Sequence, residues 1–78
     1  MSGEGAVFEV DARGMRCPWP ALRAARAMRE YDAALVRADD PLAPKELAAM
    51  AQERGWIFEI REENLFFVSS LRNESASR

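Results

Sequence analysis

Asp11-Ala12-Arg13-Gly14-Met15-Arg16-Cys17-Pro18-Trp19-Pro20 separates a short apolar run from a segment rich in alanine and arginine, and it contains the only cysteine of the chain. A proline fixes φ and lacks an N–H, which suits the first position of a helix. Cys17 is therefore expected as the N-cap, with its sulfur at the helix mouth, where the backbone field favours an anion. Pro18 and Pro20 each remove one N–H from that mouth, so Trp19 and Ala21 are left as the nearest backbone donors. Arg16 and Arg13 are expected to add positive charge and lower the thiol below the roughly 8.5 of a free cysteine. Gly14 supplies the backbone freedom for a sharp approach to the helix.

On the N-terminal side, Ala6-Val7-Phe8-Glu9-Val10 reads as a strand with Phe8 and Val10 toward the core and Val7 and Glu9 away from it. Met1 to Gly5 is small and polar and is expected to fray. On the C-terminal side, the spacing predicts a helix from Pro18 to about Glu30, with Ala21, Leu22, Ala25 and Met28 as a narrow inward stripe. Trp19, Arg23, Arg26 and Glu30 fall on the opposite side. A charged helix face is most often only solvated. Exposed tryptophan and arginine are also typical interface anchors, so Trp19, Arg16, Arg23 and Arg26, with Arg13 beside them, form a candidate docking surface around Cys17.

Ala33 to Ala38 reads as a second strand, with Ala34, Val36 and Ala38 on one face and Leu35 and Arg37 on the other. A strand, a helix and a strand predict a parallel pair with a right-handed crossover. The second helix starts either at Asp39-Asp40-Pro41 or at Pro44, turns Leu47, Met50 and Ala51 inward, and ends on Gly55 as a C-cap. Asp39 and Asp40 are read as capping residues rather than catalytic ones. Trp56 to Arg61 and Leu65 to Leu71 form an antiparallel hairpin around Glu62-Glu63-Asn64, where asparagine can take the left-handed conformation. Phe58, Leu65 and Phe67, with Trp56 and Ile60, are the expected core. Ile57, Phe66 and Val68 are placed on the far face beside Val7 and Leu35.

The fold class is therefore α/β: a two-layer βαβαββ sandwich, a mixed four-stranded sheet with two helices on one face. It forms a single domain over residues 1–78, ordered from about 6 to 71, with the polar Arg72 to Arg78 as a disordered tail. An apolar sheet face without helices would suit a homodimer or a partner.

Composition narrows the function classes. A net charge of −2 argues against non-specific nucleic-acid binding, and the outward strand residues lack the regular basic and aromatic surface of an RNA-binding domain. One cysteine makes no internal disulfide, and there is no C-x-x-C pair for a thioredoxin-type redox site. The absence of histidine removes the Cys/His nucleophile-base pairing and the commonest metal ligand. The reading is therefore of no metal and no cofactor. No signal-like or bilayer-spanning apolar run is present, so no membrane association is expected and the cytoplasm is the default location.

Asp11, Gly14, Met15, Cys17, Pro18 and Pro20 resemble the D-x-x-G-(Leu/Met)-x-C-P-x-P signature, with its CPxP motif, of the TusA/SirA-like (YedF, YeeD) sulfur-carrier family. Ala38-Asp39-Asp40-Pro41 resembles that family's A-(T/D)-D-P turn. Tyr31-Asp32 departs from the Pro-Gly turn of many relatives, in the loop rather than at the site. The resemblance implies a two-layer α/β fold and a Cys17 that carries sulfur as a persulfide. It also implies a sulfur donor, such as a cysteine desulfurase or a rhodanese-like protein, and a downstream acceptor protein. Thiol exchange needs a reachable thiolate and a partner, and no internal base. In that sense sulfurtransferase activity belongs to the relay as a whole. The alternative is a non-catalytic interaction or regulatory module in which Cys17 is an inert cap residue.

Overall fold

The structure is a computed structural model and describes residues 7–70. Expectations that fall on residues 1–6 and 71–78, including Ala6 and Leu71 as strand residues and both termini as disordered, lie outside the described residues. The elements are β1 (Val7–Asp11), α1 (Trp19–Ala27), β2 (Ala33–Arg37), α2 (Ala43–Arg54), β3 (Ile57–Glu62) and β4 (Leu65–Ser69). They form one four-stranded sheet in the order β1-β2-β4-β3. β1 runs parallel to β2, and β4 is antiparallel to both of its neighbours. The hairpin thus returns β4 into the middle of the sheet, leaving β1 and β3 as edges.

Two rows of side chains cross the helix-covered face: Phe8, Ala34, Val68 and Phe58, then Val10, Val36, Phe66 and Ile60. In the central strands these are the core, with Ala34, Val36 and Val68 fully buried. At the edges the cover thins. Ile60 faces the helix side yet is 64% exposed, and Phe8 is kept from water in part by stacking on Tyr31, ring centroids 4.7 Å apart.

The phase of β4 is opposite to the expected one. Phe66 and Val68 are buried against the helices, whereas Leu65 and Phe67 lie on the other face with Ile57, Val7 and Leu35. Leu65 through Val68 are all apolar, so no alternation marks the inward side. The register comes instead from the turn at Asn64, whose φ is 63°, and from an irregularity in the pairing between Ile60 and Glu62. On the outer face the Arg61 guanidinium covers the Phe67 ring, 4.2 Å from its centroid.

The inward stripe of α1 also differs from expectation. Pro20, Ala21, Ala24 and Ala27 are buried, followed by Met28, while Leu22 is 51% exposed and Ala25 only partly covered. Small side chains let the helix backbone lie close to the sheet, and an inward leucine at that separation would overpack the layer. α2 starts at Ala43 with Pro44 in its first turn, buries Ala43, Leu47, Met50 and Ala51, and ends at Gly55 in the left-handed conformation, φ 75°. α1 packs on β1, β2 and α2, and α2 continues the layer over β3.

Candidate functional site

The loop between β1 and α1 is fastened at several points. Ala12, fully buried, donates its N–H to the Arg37 carbonyl at 2.7 Å and so continues the parallel pairing one residue past β1. Arg13 turns back on Asp11: its Nε and Nη2 donate to the two carboxylate oxygens at 2.9 Å each, and its backbone N–H donates to Oδ1 at 3.2 Å. The side-chain hydrogen bonds from Arg13 hold the Asp11 carboxyl well below the usual carboxylate range. Gly14 then takes φ 82°, a left-handed conformation that glycine adopts without a Cβ penalty. Its N–H donates to Asp39 Oδ1 at 2.9 Å.

Cys17 is held in the same way. Its N–H donates to Asp40 Oδ2 at 2.7 Å, while Asp40 Oδ1 accepts the Leu42 N–H at 2.9 Å. One carboxylate therefore pins the cysteine loop to the start of α2. The Cys17–Pro18 peptide is cis, and the Trp19 N–H donates to the Arg16 carbonyl at 2.8 Å. Cys17 and Pro18 are thus the two central residues of a tight turn. Helical geometry begins at Trp19, and the N-cap is Pro18, not Cys17, with no side-chain cap bond.

This geometry corrects the expected electrostatics of the thiol. The Cys17 N–H is committed to Asp40, Pro18 and Pro20 have none, and the Trp19 N–H is committed to Arg16. The helix mouth offers the sulfur few of the donors that usually stabilise a thiolate. Partial burial pushes the Cys17 thiol up from its ordinary value, and the carboxylates of Asp40 and Glu46 push it further in the same direction. No arginine counteracts them. Arg13 is occupied by Asp11, and the charge of Arg16 falls on Asp40, whose carboxyl is held below its ordinary value chiefly by the Leu42 and Cys17 N–H groups. The sulfur nevertheless belongs to a half-buried residue, within reach of solvent.

Of the residues singled out in the sequence, Gly14, Arg16, Cys17 and Pro18 lie together in this loop, and Pro20 is buried beneath it. Gly14 and Arg16 line a shallow depression with Asp39, Asp40 and Pro41. Trp19 is 58% exposed at the start of α1. Arg23 reaches back to the Met15 sulfur at 3.9 Å, and with Arg26 it flanks a groove between α1 and the β1 edge that includes Phe8 and Tyr31. Arg13 is bound to Asp11. Three residues have a part in the site that sequence reasoning does not give them: Asp39 and Asp40, whose carboxylates reach across to the cysteine loop while the N-cap of α2 is Leu42 with no side-chain cap bond, and Glu46. The Asp-Asp-Pro turn carries a signal for the first two, and nothing in the sequence marks Glu46. Among the described residues no set of three His, Cys, Asp or Glu side chains converges as a metal site, and no helix is long and apolar enough to cross a membrane.

Comparison with known proteins agrees with this geometry. The fold matches the crystal structure of a SirA-like protein from Desulfitobacterium hafniense with a TM-score of 0.73 and 24% identity, covering 86% of this chain and all of the other. No curated protein matches. The family model described as sulfurtransferase TusA matches residues 8–71, a span that contains the whole β1–α1 loop and the Asp39-Asp40 turn that fastens it. With its two helices, its cysteine loop and all of its mixed sheet but Val7 inside that span, the chain belongs to the TusA sulfurtransferase family, which implies a sulfur-carrier role.

Proposed function

We propose that the protein holds sulfur as a persulfide on Cys17 and relays it to an acceptor protein. The observation that carries this reading is a single half-buried cysteine whose backbone is fixed by Asp40 at the start of α1, in a chain without histidine or a second thiol. Such a thiol can exchange sulfur but has no internal partner with which to resolve it, so both exchange reactions are intermolecular. In loading, the Cys17 thiolate attacks the outer sulfur of a donor persulfide. The donor S–S bond breaks, its electron pair leaves with the donor sulfur, and a new S–S bond forms at Cys17. The raised thiol makes the ionised fraction small in the free protein, while each thiolate that does form is the stronger nucleophile for it.

A cysteine desulfurase or rhodanese-like protein is a suitable donor class. Trp19, Arg16, Arg23 and Arg26 offer the docking surface, since all four are exposed, Arg16 in the loop before Trp19 and Arg23 and Arg26 after it on α1. Arg13 contributes to that surface through its ion pair with Asp11 rather than as a free cation. The test is intact mass after incubation with a cysteine desulfurase and cysteine. The expected result is a gain of one sulfur atom that disappears on reduction and does not occur in Cys17→Ser. No gain with any donor class would favour a non-catalytic interaction module of the same fold.

A further inference from the structure

We propose that the carboxylates of Asp40 and Glu46 are retention groups for the sulfur carried on Cys17, opposing the negative charge that must return to Sγ when the outer sulfur departs. The inference rests on the persulfide reading and goes beyond it by assigning control of release to two residues of the α2 side. Asp40 is fixed against the Cys17 backbone by the 2.7 Å bond to its N–H and cannot swing away without releasing Leu42 as well. Glu46 lies in the first turn of α2 and lines the groove between the two helices together with Ala21, Leu22 and Pro18, the residue that follows the cysteine. These two carboxylates are the charged groups that act on the thiol, and the charge of Arg16 acts on Asp40.

The chemistry gives this arrangement a direction. In unloading, an acceptor thiolate attacks the outer sulfur, a new S–S bond forms there, the bond to Cys17 Sγ breaks, and its electron pair returns to Sγ. The acceptor thiolate plus the Cys17 persulfide become an acceptor persulfide plus the Cys17 thiolate, with no external oxidant or reductant. In the loaded state an ionised persulfide keeps its charge on the outer sulfur, one bond farther from the carboxylates. In the transition state the electron pair of the breaking S–S bond builds new negative charge on Sγ itself, nearer Asp40 and Glu46. A leaving thiol of higher pKa leaves more slowly, so the two carboxylates slow discharge to adventitious thiols. Burial is the first cause of the upward shift of the free thiol, and the same two carboxylates add to it in the same direction.

The test loads the full-length protein with inorganic polysulfide, confirms the added sulfur by intact mass, and follows its removal by a neutral trialkylphosphine. The phosphine takes the outer sulfur as phosphine sulfide and returns the electron pair to Sγ, and its lack of charge removes steering from the comparison. Glu46→Gln should release sulfur faster than the unsubstituted protein by about two- to fivefold, and Glu46→Lys faster still. The difference between these proteins should shrink as ionic strength rises, which a merely structural effect would not reproduce. Asp40→Asn, which keeps the side-chain size, should also release faster. Equal release rates in a protein that loads normally would overturn the retention role and leave the carrier reading intact. A failure of Cys17 to take up sulfur from polysulfide and from a desulfurase alike would overturn the carrier reading, and the retention role with it.

Discussion

Asp40 accepts the backbone N–H of Cys17 at 2.7 Å across 23 residues of sequence, and through its other oxygen it accepts the N–H of Leu42. The same carboxylate therefore does two opposed things to the cysteine. It fixes the backbone that carries the sulfur, and it makes ionisation of that sulfur less favourable. Loop placement and thiol acidity are coupled in one side chain, so a substitution there changes both.

The mechanical half of that coupling is tested by stability. Asp40→Ala leaves two backbone donors without their partner and should lower the midpoint of urea unfolding. Asp40→Asn retains one acceptor and should lower it less. The acid limb gives the sign independently, because the folded-state carboxyl is held below its ordinary value of 3.8 by the Leu42 and Cys17 N–H groups. A depressed folded pKa contributes stability that is present above the unfolded value and lost as pH falls through the folded one. The unfolding temperature should thus fall below about pH 4, and more steeply in the unsubstituted protein than in Asp40→Asn. Identical acid limbs would remove Asp40 from the account.

The chemical half is tested by alkylation. With the thiol pushed up by burial, by Asp40 and by Glu46, the rate of reaction with iodoacetamide should rise with a midpoint above that of an unstructured cysteine peptide. Glu46→Gln should move the midpoint down. Arg16→Glu, which adds a carboxylate beside Asp40, should move it up. A midpoint below that of the peptide would mean that the helix mouth outweighs the carboxylates.

The faces of β2, the Gly55 cap and the left-handed Asn64 are legible locally, because each depends on residues within one element or one turn, and the parallel β1–β2 pair follows from the strand-helix-strand order. The phase of β4 is not, since Leu65 to Val68 present apolar side chains to both faces and the choice is made by its pairing with β2 and β3. In α1 the hydrophobicity of Leu22 misleads: closeness to the sheet selects Ala24, which is fully buried, over the larger residue. At the site, the motif locates Cys17 and its prolines. The sign of the thiol shift is set first by burial and then by Asp40 and Glu46, which come from a different part of the chain, and it is opposite to the effect expected from Arg13 and Arg16.

Gly14 has φ 82°, and a Cβ built on it would meet nothing within 4 Å. The cost of Gly14→Ala is therefore conformational rather than steric, about 1–2 kcal/mol for holding an L-residue in the left-handed region. Urea unfolding should show a loss of this size. A neutral result would indicate that the loop relaxes to negative φ, and the Gly14 N–H would then part from Asp39, visible as faster amide exchange at Gly14.

Leu22 and Leu47 test the corrected core directly, because both are leucines in helices and their surroundings are opposite. Leu47 is fully buried between α2 and the sheet, and Leu22 is 51% exposed on α1. Leu47→Ala removes buried methyl groups and leaves a cavity, which should cost about 2–5 kcal/mol. Leu22→Ala loses little packing and gains helix propensity, so its effect should stay within about 0.5 kcal/mol. Chemical denaturation of the two variants measures the difference. Comparable losses in both would mean that Leu22 turns inward, and the close approach of the alanine face of α1 to β1 and β2 would have to be abandoned.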